Sequence, residues 1–215
     1  MGKLIVIEGT DGSGKSTQFK MTCERLEKAG KTFKSVTFPR YGEESSALLR
    51  MYLRGEFGKD PNDVNPYAAS TFFAVDRYAS FKQDWQKDYE AGVPILCDRY
   101  TTSNAIHQAG KLPDGEADAF VRWLFDYEYG LLGLPEPSCV LYLDIPPETT
   151  FGLLKKRQGD GGDIHELDHA YLRKCRETAS RLCGELGWHR IKCVEKGRLR
   201  KPEEINDDIM EIILK

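Results

Sequence analysis

The sequence predicts an α/β fold, a five-stranded parallel sheet with helices on both faces. Five short, nearly uninterrupted apolar runs alternate with segments of helical periodicity, the pattern of strands covered on both sides and joined by crossover helices. A glycine-rich stretch also falls directly between the first such run and the first amphipathic segment. In parallel sheets that carboxyl edge is where ligands bind.

The elements follow in order. "KLIVIE" (3–8) is a strand stopped by Gly9, and the next segment, 16–30, sets Phe19, Cys23 and Leu26 on one helical stripe before Gly30 ends it. "FKSVTF" (33–38) is a strand closed by Pro39, followed by a short helix over 45–55 and a long one over 65–92. "VPILCD" (93–98) is the third strand. Helical stretches at 101–109 and 114–129 lead to "SCVLYLDI" (138–145), which Pro146 and Pro147 end. Helices near 148–157 and 164–186 precede the fifth strand, "HRIKCV" (189–194). The closing helix, 202–214, carries Ile205, Ile209, Ile212 and Ile213 on one face. A chain of 215 residues suits a single domain, 1–215, with one well-buried core.

With 40% hydrophobic and 30% charged residues and no apolar run long enough for a bilayer, the expectation is a soluble protein without membrane contact. The apolar N-terminus meets Glu8 and a glycine turn too early for a signal peptide. Six scattered cysteines without a C-x-x-C pair are expected to be reduced, packed thiols in the cytoplasm. A net charge of −3 offers no general field for nucleic acid, so a polyanionic ligand needs a local basic site.

That site is supplied by "GTDGSGKST" (9–17), which satisfies G-x-x-x-x-G-K-[ST] between strand and helix. Gly9, Thr10, Asp11, Gly12, Ser13, Gly14, Lys15, Ser16 and Thr17 form an expected ATP cradle. Backbone N–H groups converge on phosphate oxygens there, Lys15 adds a cation, and the Ser16 hydroxyl can ligate Mg²⁺. GTPases, ATPase motors and small-molecule kinases share this cradle, but the guanine-reading N-K-x-D is absent. Asp11 inside the loop suits a hydroxyl of an acceptor better than a bound phosphate. Arg40 in "FPRY" and Arg99 in "DRY" stand at strand ends, where they can clamp a transferable phosphate. Phe73 and Arg77, at i and i+4 in "FFAVDR", can stack on and hydrogen-bond a base. Together these residues describe a mononucleotide pocket.

"GTDGSGKST", "FPRY", "FFAVDR" and "DRYTTSNAIHQ", in this order and spacing, resemble the thymidylate kinases among the P-loop nucleoside monophosphate kinases, along essentially the whole chain. The resemblance implies a three-layer α/β/α homodimer with a short helical lid that uses ATP and Mg²⁺ to convert dTMP to dTDP. It assigns Asp11 to the 3′-hydroxyl, Phe73 and Arg77 to thymine, Arg40 and Arg99 to the acceptor phosphate, and Ser103 and Asn104 to places beside the base. Asp98 supports the Mg²⁺ shell with Ser16. Lys15, Arg99, Asp11 and a lid arginine form the expected catalytic set.

Three departures stand out. His107 occupies a position near the sugar C2′ where relatives often carry Tyr or Phe, and serves either sugar discrimination or structure. Gly12 replaces an arginine found in some members, so the catalytic cation is expected from the lid, about 154–168, with Arg157 as the choice over Lys155 and Lys156. Past it, Asp163 and Glu166 match a family acidic pair, Glu166 facing the acceptor or capping the next helix. His165, Glu166 and His169 also spell H-E-x-x-H, but a zinc protease needs a third protein ligand, and His107 and His189 lie in other elements. The remaining alternatives are a kinase for another deoxynucleotide, such as dUMP, or for a deoxynucleoside, and a nucleotide-binding scaffold without catalysis.

Overall fold

The computed structural model describes residues 1–60, 62–149 and 169–215. Strand β1 (Leu4–Gly9) is buried along its whole length, as a continuous apolar run requires. It leads into α1 (Lys15–Lys28), β2 (Lys34–Thr37), α2 (Ala47–Leu53) and α3 (Pro66–Ser80). The Asn65 side chain caps α3 by accepting from the Ala68 N–H at 2.9 Å, and Pro66 fills the first helical position. A π-helical turn, Phe81–Trp85, joins α3 to α4 (Gln86–Glu90), so the long helix expected over 65–92 follows one path with a break in its register. Next come β3 (Ile95–Asp98), α5 (Thr101–His107) and α6 (Asp114–Phe125), the last continued by a second π turn, Asp126–Leu131. The chain then supplies β4 (Cys139–Asp144), α7 (His169–Leu186), β5 (His189–Lys192) and α8 (Pro202–Ile213). Between β5 and α8, in the stretch left unassigned between the fifth strand and the closing helix, lies a small antiparallel hairpin, β6 (Val194–Glu195) with β7 (Arg198–Leu199). Two-residue strands leave no periodicity to read.

The five main strands are parallel in the order β2-β3-β1-β4-β5. Central β1 therefore sends its connection outward to β2, while the connection after β3 crosses to β4 on the other side. The register pairs Ile7 with Asp98, so the turns leaving β1 and β3 emerge side by side. On one face Ile5, Ile7, Leu96, Leu141 and Leu143 pack against Leu26 of α1 and Ile205, Ile209 and Met210 of α8. On the other, Leu4, Val6, Ile95, Cys97 and Val140 meet Phe81, Trp85 and Leu134. A third cluster ties α5, α6 and α7 through Ile106, Phe120, Leu124, Leu172 and Cys175. The result is the three-layer α/β/α arrangement.

A buried polar contact locks α8 onto α1. Asn206 Nδ2 donates to the Gln18 carbonyl, Gln18 Oε1 and Thr22 Oγ1, at 3.3, 3.0 and 3.0 Å. All six cysteines are free, and burial raises the pKa of each thiol. Among the described residues no helix is long and apolar enough to cross a membrane. Most of the helix expected at 148–157, the start of that expected at 164–186 and the lid at 154–168 lie outside the described residues, and with them Arg157, Asp163, His165 and Glu166.

Candidate active site

The phosphate loop is shaped by its glycines. A Cβ on Gly9 would lie 2.4 Å from Ser13 Oγ, so the turn closes only around a bare α-carbon. Gly14, at φ +79°, opens α1 in a left-handed conformation that side chains disfavour. Residues Thr10 to Thr17, with Arg99 of the neighbouring turn, line a cavity of about 400 Å³ in front of the helix N-terminus. Lys15 is buried and its Nζ hydrogen-bonds the Asp98 carboxylate at the end of β3. Burial and the nearby Arg99 lower the Lys15 pKa, while Asp98 pulls it back up and favours the cation. Among the described residues, buried Ser13 Oγ has no hydrogen-bond partner, so the cradle retains an uncommitted polar atom.

A second cavity, about 590 Å³ of empty space open to solvent, lies between α3, α5 and the turn after β2. Its wall includes Asp11, Phe73, Arg77, Arg99, Ser103, Asn104 and His107, all expected from the sequence. Phe38, Pro39, Tyr41, Leu53, Tyr100 and Gln108 also line it. The Phe38–Pro39 peptide is cis. The ring of Phe73 is held edge-on by buried Tyr52, centroids 6.3 Å apart at 82°. Arg77 is 2% exposed, and beside it Asn104 Nδ2 and Gln108 Oε1 have no hydrogen-bond partner among the described residues.

Arg99 stands where the two cavities meet. Its backbone is left-handed, φ +64°, a conformation that costs a non-glycine residue about 1–3 kcal/mol and recurs at functional sites. Its Nη2 donates to Asp11 Oδ1 at 2.5 Å, and its Nη1 lies 3.2 Å from both Ser103 Oγ and His107 Nε2. A guanidinium only donates, so His107 Nε2 accepts and the ring's proton sits on Nδ1. Burial, then Arg99, pushes the His107 pKa down to about 4 and keeps the ring neutral. Behind this turn, fully buried Glu8 accepts from the Tyr100 N–H, Thr102 Oγ1 and Ser103 Oγ at 3.1, 2.6 and 2.8 Å. The carboxylate of β1 thereby fixes the chain that carries Arg99.

A thymidylate kinase family model matches residues 7–201. The chain belongs to the thymidylate kinase family. A thymidylate kinase of Mycobacterium tuberculosis is 30% identical over 192 residues, covering 86% of this chain and 87% of that protein. One from Plasmodium falciparum is 28% identical over 214 residues, covering 100% and 90%. A solved thymidylate kinase from Candida albicans superposes with a TM-score of 0.74 at 23% identity, over 99% of this chain and 91% of that one, and so shares the fold.

In this thymidylate kinase-family chain one expected residue is placed differently. Arg40 does not line the acceptor cavity: its Nη1 donates to Asp84 Oδ2 at 2.5 Å, its Nε to Asp76 Oδ1 at 3.4 Å and its Nη2 to Ser45 Oγ at 3.2 Å. The Arg40 N–H also donates to Asp76. With two carboxylates around it, the guanidinium secures the turn after β2 to the α3–α4 path, and the neighbouring Tyr41 faces the cavity instead. Among the described residues, the cations at the junction are Lys15 and Arg99. Tyr41 and Gln108 close the motifs "FPRY" and "DRYTTSNAIHQ", but neither is assigned a role from the sequence; their place in those motifs is the available signal. Among the described residues, no group of three or more His, Cys, Asp or Glu could hold a metal, and of the H-E-x-x-H residues only His169 is described.

Proposed function

We propose that this chain transfers the γ-phosphate of ATP to dTMP, giving ADP and dTDP. One observation carries the assignment: Asp11 and Arg99 line both cavities, so a donor in the phosphate loop and an acceptor in the second cavity meet at the same two side chains. Phosphoryl transfer needs alignment and charge neutralisation more than a proton shuttle, and this junction supplies both. Lys15 and the N–H groups at the start of α1 take the donor phosphates, and Arg99 takes the acceptor phosphate. Asp11 receives a hydroxyl of the acceptor sugar while holding Arg99 in place. Phe73 stacks on the base. Thymine offers a carbonyl and an N3–H on one edge, matching the uncommitted Asn104 Nδ2 donor and Gln108 Oε1 acceptor.

Mg²⁺ fits the donor set, because the Ser16 hydroxyl borders the phosphate cavity and Asp98 ends the adjacent strand, both hard oxygen ligands. Asp98, bound to Lys15, suits an outer place reached through water. When bound, Mg²⁺ neutralises charge building on the phosphate oxygens. Neutral His107, through its bond to Arg99, sets the wall near the sugar. A cytoplasmic location suits the six free thiols, and a homodimer suits the apolar outer stripe of α3, where Tyr67, Val75 and Tyr78 are 41%, 49% and 41% exposed.

The test is ADP release with ATP and, separately, dTMP, dUMP, dCMP, dGMP and thymidine. The expected order puts dTMP first, with dUMP reduced about tenfold or more for its missing methyl group. Turnover of thymidine but of no monophosphate overturns the assignment.

A further inference from the structure

The base end of the acceptor cavity rests on a carboxylate that no motif announces. Glu128 lies in the π turn Asp126–Leu131, is fully excluded from solvent and holds Arg77 by a two-pronged ion pair. Arg77 Nε donates to Glu128 Oε2 at 2.7 Å and Nη2 donates to Oε1 at 2.5 Å. Thr101 Oγ1, from the first turn of α5, adds a bond to Oε2 at 2.7 Å. Single-turn π segments inside helices concentrate at functional positions.

This leaves the Arg77 guanidinium with one nitrogen not paired to Glu128. Among the described residues Nη1 makes only long contacts, 3.3 Å to Asn104 Oδ1 and 3.5 Å to the Tyr100 carbonyl, at the weak end of hydrogen bonding. Arg77 and Asn104 both line the cavity, so Nη1 is the guanidinium nitrogen free to strengthen a bond to a ligand. Burial alone would lower the Arg77 pKa; the field of Glu128 outweighs it, and the group stays a cation.

We propose that Glu128 is the positioning residue for base recognition: by gripping the inner edge of Arg77 it turns Nη1 into a fixed donor at the base. The inference rests on dTMP being the acceptor. A guanidinium can only donate, so a fixed Nη1 accepts a base carrying a carbonyl at position 4 and opposes one carrying an amino group there. Without the grip, a flexible arginine can swing aside and admit either base. The pair also removes the net charge from this end of the cavity, so a neutral base enters without leaving a bare buried cation. Thr101 and Asn104, one turn apart on α5, link the grip to the helix that faces the base.

Steady-state kinetics with dTMP and dCMP at saturating ATP test this for wild type, Glu128→Gln, Glu128→Asp and the double variant Arg77→Met with Glu128→Met. Glu128→Gln is expected to raise the dTMP KM about tenfold or more and to narrow the dTMP-over-dCMP preference in kcat/KM by a similar factor. Its kcat should change less than about threefold, because Arg77 touches the base and not the reacting atoms. Glu128→Asp keeps the charge but shortens the reach, so it should fall between the two. It carries the test where Glu128→Gln does not fold. The double variant removes the buried pair whole, leaving no unpaired charge, and should retain ATP binding with the base preference lost. A folded Glu128→Gln or Glu128→Asp with wild-type KM and preference overturns the proposal, as does a loss confined to kcat. A wild type that turns over no dTMP overturns the acceptor assignment itself, whereas an active wild type beside unchanged variants overturns the role of Glu128 alone.

Discussion

His107 makes a residue-scale consequence of the site measurable. The unfolded chain takes up a proton on this side chain near pH 6.5, whereas the folded chain resists until about pH 4. The contribution to stability is therefore complete above the first value and lost as pH falls through that window. In His107→Phe the drop in melting temperature between about pH 7.5 and about pH 5 should be smaller than in wild type; an equal or larger drop would place the acid sensitivity elsewhere. The residues that could be read in the sequence were those whose chemistry is local. Gly9, Gly14 and Lys15 act within nine residues of one another, and Phe73 and Arg77 share one helical turn. Glu8, Glu128 and Asp76 could not be read in this way, because each acts on a partner far along the chain: Tyr100, Arg77 and Arg40. The same distance explains Arg40, whose strand-end position suggests a phosphate ligand but whose guanidinium is held by the carboxylates of the α3–α4 path. The available signal is a carboxylate in an apolar or aromatic setting, Glu8 in "LIVIEG" and Glu128 between two tyrosines in "FDYEYG".

At the scale of elements, the five strands of the main sheet and most helices follow directly from apolar periodicity, and their order gives the parallel sheet. The π turns at Phe81–Trp85 and Asp126–Leu131 did not, since one added residue in a helix changes which side chains meet without changing the composition. Both carry a carboxylate that grips an arginine, Asp84 on Arg40 and Glu128 on Arg77. The join between α1 and α8 gives a stability prediction. Replacing Asn206 by Ala leaves buried acceptors on Gln18 and Thr22 unmet, at a cost of about 1–3 kcal/mol. For a chain of this size that corresponds to a fall in melting temperature of roughly 2–12 °C. Calorimetry showing an unchanged transition would mean the contact contributes nothing. Because α8 packs on α1, whose N-terminus opens on the phosphate cavity, a loosened α8 should also raise the KM for ATP more than that for dTMP.

For the molecule as a whole, the exposed apolar stripe on α3 lies on the helix that also carries Phe73 and Arg77, so any partner seated there would stiffen the acceptor cavity. Light scattering is expected to give twice the chain mass for wild type and the monomer mass for Val75→Glu, with acceptor affinity falling in step; a monomeric wild type would remove the dimer. Stability is also a property of the whole molecule, and here Arg99 sets it against activity. Its left-handed backbone is a conformation that glycine or asparagine adopts more cheaply. A library of variants enriched only for heat resistance would therefore tend to discard Arg99, and each such winner would be a better-folded protein that had lost the cation shared by the two cavities.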